Sequence, residues 1–157
     1  MPAITPSLWF DDNLEEAAEF YTAIFPNSSI EELYRTTDAG PGAPGTVLWG
    51  SFVLDGARFI GINGGPHFQF SEAVSLMINC KDQDEVDYYW NRLVDGGEES
   101  MCGWLKDRFG LSWQVTPDRL FELQNDPDPA RAAAATKAMH GMRKIVIAEL
   151  EQAADNA

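Results

Sequence analysis

A chain of 157 residues with a formal net charge of −14 and a pI near 4.3 can bury about two-thirds of its unfolded surface. Its acidity argues against partners that need a basic face, nucleic acid and anionic membrane surfaces among them. Cys80 and Cys102 make no disulfide framework, the opening MPAITP lacks the regions of a secretory leader, and no apolar run approaches the roughly 18 residues of a membrane span, so a soluble, cytoplasmic protein is expected.

Residues 4–10 (ITPSLWF) read as a short apolar strand. Asp11, Asp12 and Asn13 then offer helix-capping side chains, with Glu16 completing a capping box on Asn13. Leu14, Ala17, Ala18, Tyr21, Ile24 and Phe25 follow the helical period until Pro26-Asn27 ends it. Residues 30–36 read as a second strand and AGPGAPG (39–45) as a loop. In TVLWGSFVLDGARFIGING, the Asp55-Gly56 dipeptide between apolar runs is a hairpin signal. GGPHFQF then breaks the pattern, and residues 64–72 are taken as a linker.

A second round begins there. Residues 73–80 form a strand, and Asp82 and Asp84 are candidate caps of a helix carrying Val86, Tyr89, Trp90, Leu93 and Val94, which Gly96-Gly97 closes. EESMCGWLKDRFGLSWQVTP makes a second hairpin turning at Phe109-Gly110, and LSWQVT alternates strictly, with Gly110 the counterpart of Gly56. Each half is thus strand, capped helix, strand, hairpin: a βαβββ module over 1–63 and another over 73–117. The tail, 118–157, is Ala-rich helix over 130–154. Its apolar residues Met139, Met142, Ile145, Ile147 and Leu150 make a surface too small for a core of its own, which predicts packing on the body or on a partner subunit.

Three blocks in order, ITPSLWFDDNLEEAAEFYTAIFPNS, INGGPHFQFSEAVSLMINC and CGWLKDRFGLSWQVTP, resemble the PhnB-like branch of the vicinal oxygen chelate superfamily, which includes glyoxalase I and extradiol dioxygenases. The resemblance covers residues 3 to about 150. It implies an α+β fold of paired βαβββ modules around a cavity between them, here with a C-terminal helical extension, and commonly a homodimer. Such sequences often carry the label 3-demethylubiquinone-9 3-methyltransferase. No G-x-G-x-x-G stands between a strand and a helix to cradle a nucleotide-like methyl donor, so methyl transfer is disfavoured. In metal-dependent members one side chain from the first strand and one from the last strand of each module hold the ion. The corresponding positions here are Pro6, Ile60, Ser75 and Gln114. Proline and isoleucine offer no side-chain donor, so neither metal nor other cofactor is expected.

Strand alternation sorts the cavity lining. Pro6, Leu8 and Phe10 are assigned to it from the first strand, with Arg58, Ile60 and Ile62, then Ser75, Met77 and Asn79, and finally Ser112, Gln114 and Thr116. The expected ligand contacts are Leu8, Phe10, Arg58, Ile60, Ser75, Met77, Asn79, Trp104, Ser112 and Gln114, a largely apolar pocket with a few polar groups suited to a small molecule. If there is catalysis, His67, Gln114 and Cys102 are the candidates. The expectation is small-molecule binding, with or without its transformation; the alternative is a non-catalytic module that sequesters a drug.

Overall fold

The computed structural model describes residues 3–40 and 42–157. The first two residues, read above as part of the opening MPAITP, and Pro41, read as loop, lie outside them. The chain divides into two compact units, Met1–Gln69 and Phe70–Ala157.

In the first unit β1 (Ser7–Phe10), α1 (Leu14–Ile24), β2 (Ser29–Arg35), β3 (Val47–Leu54) and β4 (Ala57–Asn63) form a four-stranded sheet in the order β1-β4-β3-β2. β1 lies parallel to β4, and the other pairs are antiparallel. The β3–β4 turn has Asp55 and Gly56 at φ of 46° and 80°, the consecutive left-handed pair that matches strand twist in a two-residue hairpin. α1 covers one face, where Tyr21 stacks on Phe52 with ring centroids 6.3 Å apart and Leu14, Ala17 and Ala18 are buried. Asn13 makes no side-chain cap. Asn63 at the end of β4 does that work instead, its Oδ1 accepting from Leu14 N at 2.9 Å while its Nδ2 donates to Val47 O at 3.0 Å. The cap is therefore tertiary, and it ties helix to sheet.

The second unit repeats the plan with β5 (Ser75–Cys80), α2 (Gln83–Val94), β6 (Glu98–Glu99), β7 (Trp104–Lys106) and β8 (Ser112–Pro117), in the order β5-β8-β7-β6. The paired βαβββ fold expected from the sequence is thus observed. Asp82 caps α2, accepting from Glu85 N at 2.9 Å. Val86, Trp90 and Leu93 of α2 are buried with Leu105, Trp113 and Val115 of the sheet.

The tail corrects two expectations. Its single helix is two, α4 (Pro129–His140) and α5 (Ile147–Asp155), with Gly141 as the C-cap residue of α4; α3 (Asp118–Gln124) precedes them. These helices also do build a core: Leu120, Leu123, Ala135, Met142, Ile145, Leu150 and Ala154 form one buried cluster, with Ala138 and Met139 against it. Leu120 and Leu123 supply the apolar area that the Ala-rich stretch lacks, each worth about 1.5–3 kcal/mol when buried. Gln83 ties α2 to this cluster, accepting from Ile147 N at 2.8 Å and donating to Ile145 O at 3.0 Å.

Candidate functional site

Each sheet has one face against its own helix and one face turned away from it. Ladder register decides which residues stand on the second. In the first unit Trp9 of β1 pairs with Ile62 of β4, Ile62 with Trp49 of β3, and Trp49 with Tyr34 of β2, so one row of large side chains crosses the whole sheet. Tyr34 stacks on Trp49 at 5.9 Å with planes 11° apart, and Phe68 meets the Trp9 ring edge-on at 4.9 Å. Trp9 Nε1 donates to Gly65 O at 2.9 Å, which fixes the stretch after β4 beside this row. The next row is Ser7, Ile60 and Ser51. Ser51 is buried, and its hydroxyl donates to Glu31 Oε2 at 3.2 Å, the same oxygen that accepts from Arg58 Nε at 2.9 Å.

This register overturns part of the sequence assignment. Leu8 pairs with Gly61 and Phe10 with Asn63, both on the α1 side, and Leu8 and Phe10 are buried core residues there. The partner of Ile60 is Ser7, so β1 turns Ser7 and Trp9 to the far face and withdraws Leu8 and Phe10 from it. Arg58 and Ile60 do stand on that face. Arg58 is committed to Glu31, which weakens its suitability for holding an anionic group.

In the second unit the expected residues do share a face. Ser75 pairs with Ser112 and Ser112 with Lys106, whose partner on β6 is Glu98. The adjacent row is Met77, Gln114 and Trp104, and Asn79 and Thr116 follow. Gln114 Nε2 donates to Ser75 Oγ at 2.9 Å, joining the two expected polar ligand contacts directly. Lys106 forms an ion pair with Glu72. That hydrogen bond holds the Glu72 carboxyl below its ordinary range and raises the Lys106 ammonium. Glu99 points the other way, accepting from Trp90 Nε1 at 3.2 Å. The two faces are chemically unlike: the first is aromatic and aliphatic, the second mostly polar.

The catalytic candidates stand in different local settings. His67 is exposed in the turn after β4. Cys102 lies in the loop before β7 with φ of 60°, its N–H donating to Met142 O at 2.7 Å and its thiol 4.0 Å from His140 O, so it belongs to the junction with the tail helices. Gln114 is bonded to Ser75. Cys80 is fully buried on the α2 side, and burial pushes its thiol up to about 12, with Glu85, Asp118 and Asp82 adding to the effect.

The positions that would hold a metal are adjacent within each unit: Ile60 N donates to Pro6 O at 2.9 Å, as Gln114 does to Ser75. Pro6 and Ile60 bring no side-chain donor, so this set does not fit a divalent ion. Among the described residues no group of three or more His, Cys, Asp or Glu side chains is placed to hold one either. No helix among them is long and apolar enough to cross a membrane.

Several residues of these faces escaped sequence reasoning. Trp49 and Ser51 could have been found by counting back from the Asp55-Gly56 turn, which fixes Trp49 opposite Ile62 and Ser51 opposite Ile60; Trp9 and Tyr34 depend on the ladders of β1 with β4 and of β2 with β3. Glu31 and the Glu72–Lys106 pair left no such signal: β2 carries a register shift between Ile30 and Glu32, and Glu72 precedes its strand.

Comparison with known proteins agrees with this architecture. The model of a family described as 3-demethylubiquinone-9 3-methyltransferase matches residues 2–116. The PhnB protein from Bacillus cereus, which bears the same description, is 35% identical over 74% of this chain and 99% of its own, with a TM-score of 0.69. Protein PA1353 from Pseudomonas aeruginosa is 21% identical over 74% of this chain and 98% of its own, with a TM-score of 0.62. The fosfomycin resistance protein FosX from Listeria monocytogenes, in a complex with Mn(II) and sulfate, is 17% identical over 71% of this chain and 88% of its own, with a TM-score of 0.53; these last two are likenesses of fold. No curated protein sequence matches the chain.

Proposed function

Because the chain belongs to the PhnB-like family described as 3-demethylubiquinone-9 3-methyltransferase, we propose that it binds a small, partly apolar molecule on the sheet face of the second unit turned away from α2, without a metal ion. The observation that carries this reading is the face of the second unit, where Ser75, Gln114 and Ser112 offer a few directed polar groups beside the apolar side chains of Met77 and Trp104. Small-ligand sites combine these two elements. The same reading takes the protein as a cytoplasmic homodimer, as its family likeness implies.

Sequestration without turnover is the form of this function that the geometry favours. His67 is exposed, Cys102 belongs to the tail junction, and Gln114 has a serine hydroxyl rather than a base as its partner. Methyl transfer is disfavoured by the local structure: β1 passes into α1 through Asp11-Asp12-Asn13 with no glycine-rich turn, and the glycines after β4 lead to a turn and another strand.

Titration with naphthol, read by tryptophan fluorescence, tests the reading. Saturable binding that Trp104→Ala and Gln114→Leu each weaken is expected, and calorimetry with S-adenosylmethionine should show no heat. A response that does not saturate, or one that both variants leave unchanged, refutes it.

A further inference from the structure

On the polar face of the second unit, near the β6 edge, a cavity of about 120 Å³ is lined by residues that include Glu72, Glu98, Ser100, Trp104, Lys106 and Ser112. Ser112 is 1% exposed, and among the described residues its Oγ is the buried side-chain polar atom without a hydrogen-bond partner. A buried hydroxyl left unsatisfied costs about 1–3 kcal/mol, so its retention calls for a group that completes it.

The surroundings select that group by charge. Glu72 and Glu98 face a single cation, Lys106, which Glu72 already engages. The lining therefore carries a net negative charge within a chain of formal charge −14, and an anion entering here would be repelled. A donor fits the vacant hydroxyl acceptor, a positive charge fits Glu98, and the indole of Trp104 suits a cation set against an apolar stem.

We propose that this cavity takes the protonated amine of a small monocationic molecule, with Ser112 Oγ accepting from the ammonium, Glu98 as counter-charge and Trp104 as the wall. The inference deepens the binding reading above and rests on it: the ligand's apolar body has the sheet face of the second unit, and its head is a primary amine.

The test compares n-butylammonium, butyrate and n-butanol on the full-length protein by NMR, following the indole N–H resonances. Butylammonium should shift the Trp104 resonance saturably, butyrate should not, and butanol should bind more weakly than the amine. Ser112→Ala removes an unsatisfied buried hydroxyl, so it should keep or raise the melting temperature while weakening the amine about fivefold, equivalent to about 1 kcal/mol. Glu98→Gln, at an exposed position on a two-residue edge strand, should weaken it comparably without touching the core. Butyrate binding as well as the amine, or unchanged amine affinity in both variants, overturns the proposal. If naphthol still binds while butylammonium does not, the amine assignment falls and the binding reading stands; if neither binds, both fall.

Discussion

Replacing Asp107 tests how the second hairpin places the polar face. Asp107 is 3% exposed, and its carboxylate gathers three donors: Oδ1 accepts from Phe109 N at 2.9 Å and Leu111 N at 3.0 Å, and Oδ2 from Trp113 Nε1 at 2.9 Å. These bonds close the turn and fix which residue of β8 lies opposite Lys106. Asparagine can keep Oδ1 on the two amides but then sets an N–H against the indole N–H. Hydrogen bonds to a charged group are worth about 1.5–3 kcal/mol, so Asp107→Asn should cost about 2 kcal/mol. That is a fall of about 4–8 °C in melting temperature for a chain of this size. Asp107→Ala strips all three donors of their acceptor and should cost about 3–5 kcal/mol. Urea unfolding gives these values, and a double-mutant cycle with Trp113→Phe should return a coupling of about 1–2 kcal/mol. If Asp107→Ala stays within about 0.5 kcal/mol of the parent, the range of an ordinary surface change, or if no coupling to Trp113 is found, the turn is not held as argued.

Other expectations follow from single contacts. A Cβ on Gly61 would run into Leu14 Cδ1, and Leu14 is fully buried under α1, so Gly61→Ala should destabilise by about 1–3 kcal/mol, and the double variant with Leu14→Ala should lose less than the two single losses added together; an unchanged melting temperature for Gly61→Ala would contradict the packing. The Cys80 thiol, pushed up to about 12, stays neutral well above the ordinary thiol range. Its folded value lies above its unfolded one, so its contribution to stability is present below pH 9.0 and is lost as pH rises toward 12. In the folded protein Cys80 should resist iodoacetamide at mildly alkaline pH and react once urea unfolds it; rapid alkylation of the native state would show that the burial is wrong.

The sequence carried most where one local signal decides the geometry. Asp55-Gly56 could hardly be anything but a tight turn, and the polar-apolar alternation of LSWQVT sorted Gln114 and Ser112 from Trp113 and Val115 correctly. It failed where both faces of a strand are apolar: in SLWF, Leu8, Trp9 and Phe10 are consecutive large hydrophobes, and parity has nothing to grip until the pairing with β4 is known. Long-range partners were equally out of reach. Asn13 has the residue type of a cap, but Asn63, distant in sequence and opposite Phe10 on the neighbouring strand, reaches Leu14 and does that work. The tail misled because alanine helix propensity runs through the sequence past Gly141, whereas the buried cluster needs the chain to reverse there.

The parallel pairing of β1 with β4, and of β5 with β8, bears on how the chain is made. Each half begins with a strand whose ladder neighbour, among the described residues, is the last strand of that half, so Ser7 waits on the ribosome until Ile60 has been synthesised, and Ser75 until Ser112. Contacts so distant along the chain delay closure, and until then a sticky segment such as SLWF is unprotected. Translation of the first seventy or so residues is thus the stage at which a nascent-chain chaperone has most to shield.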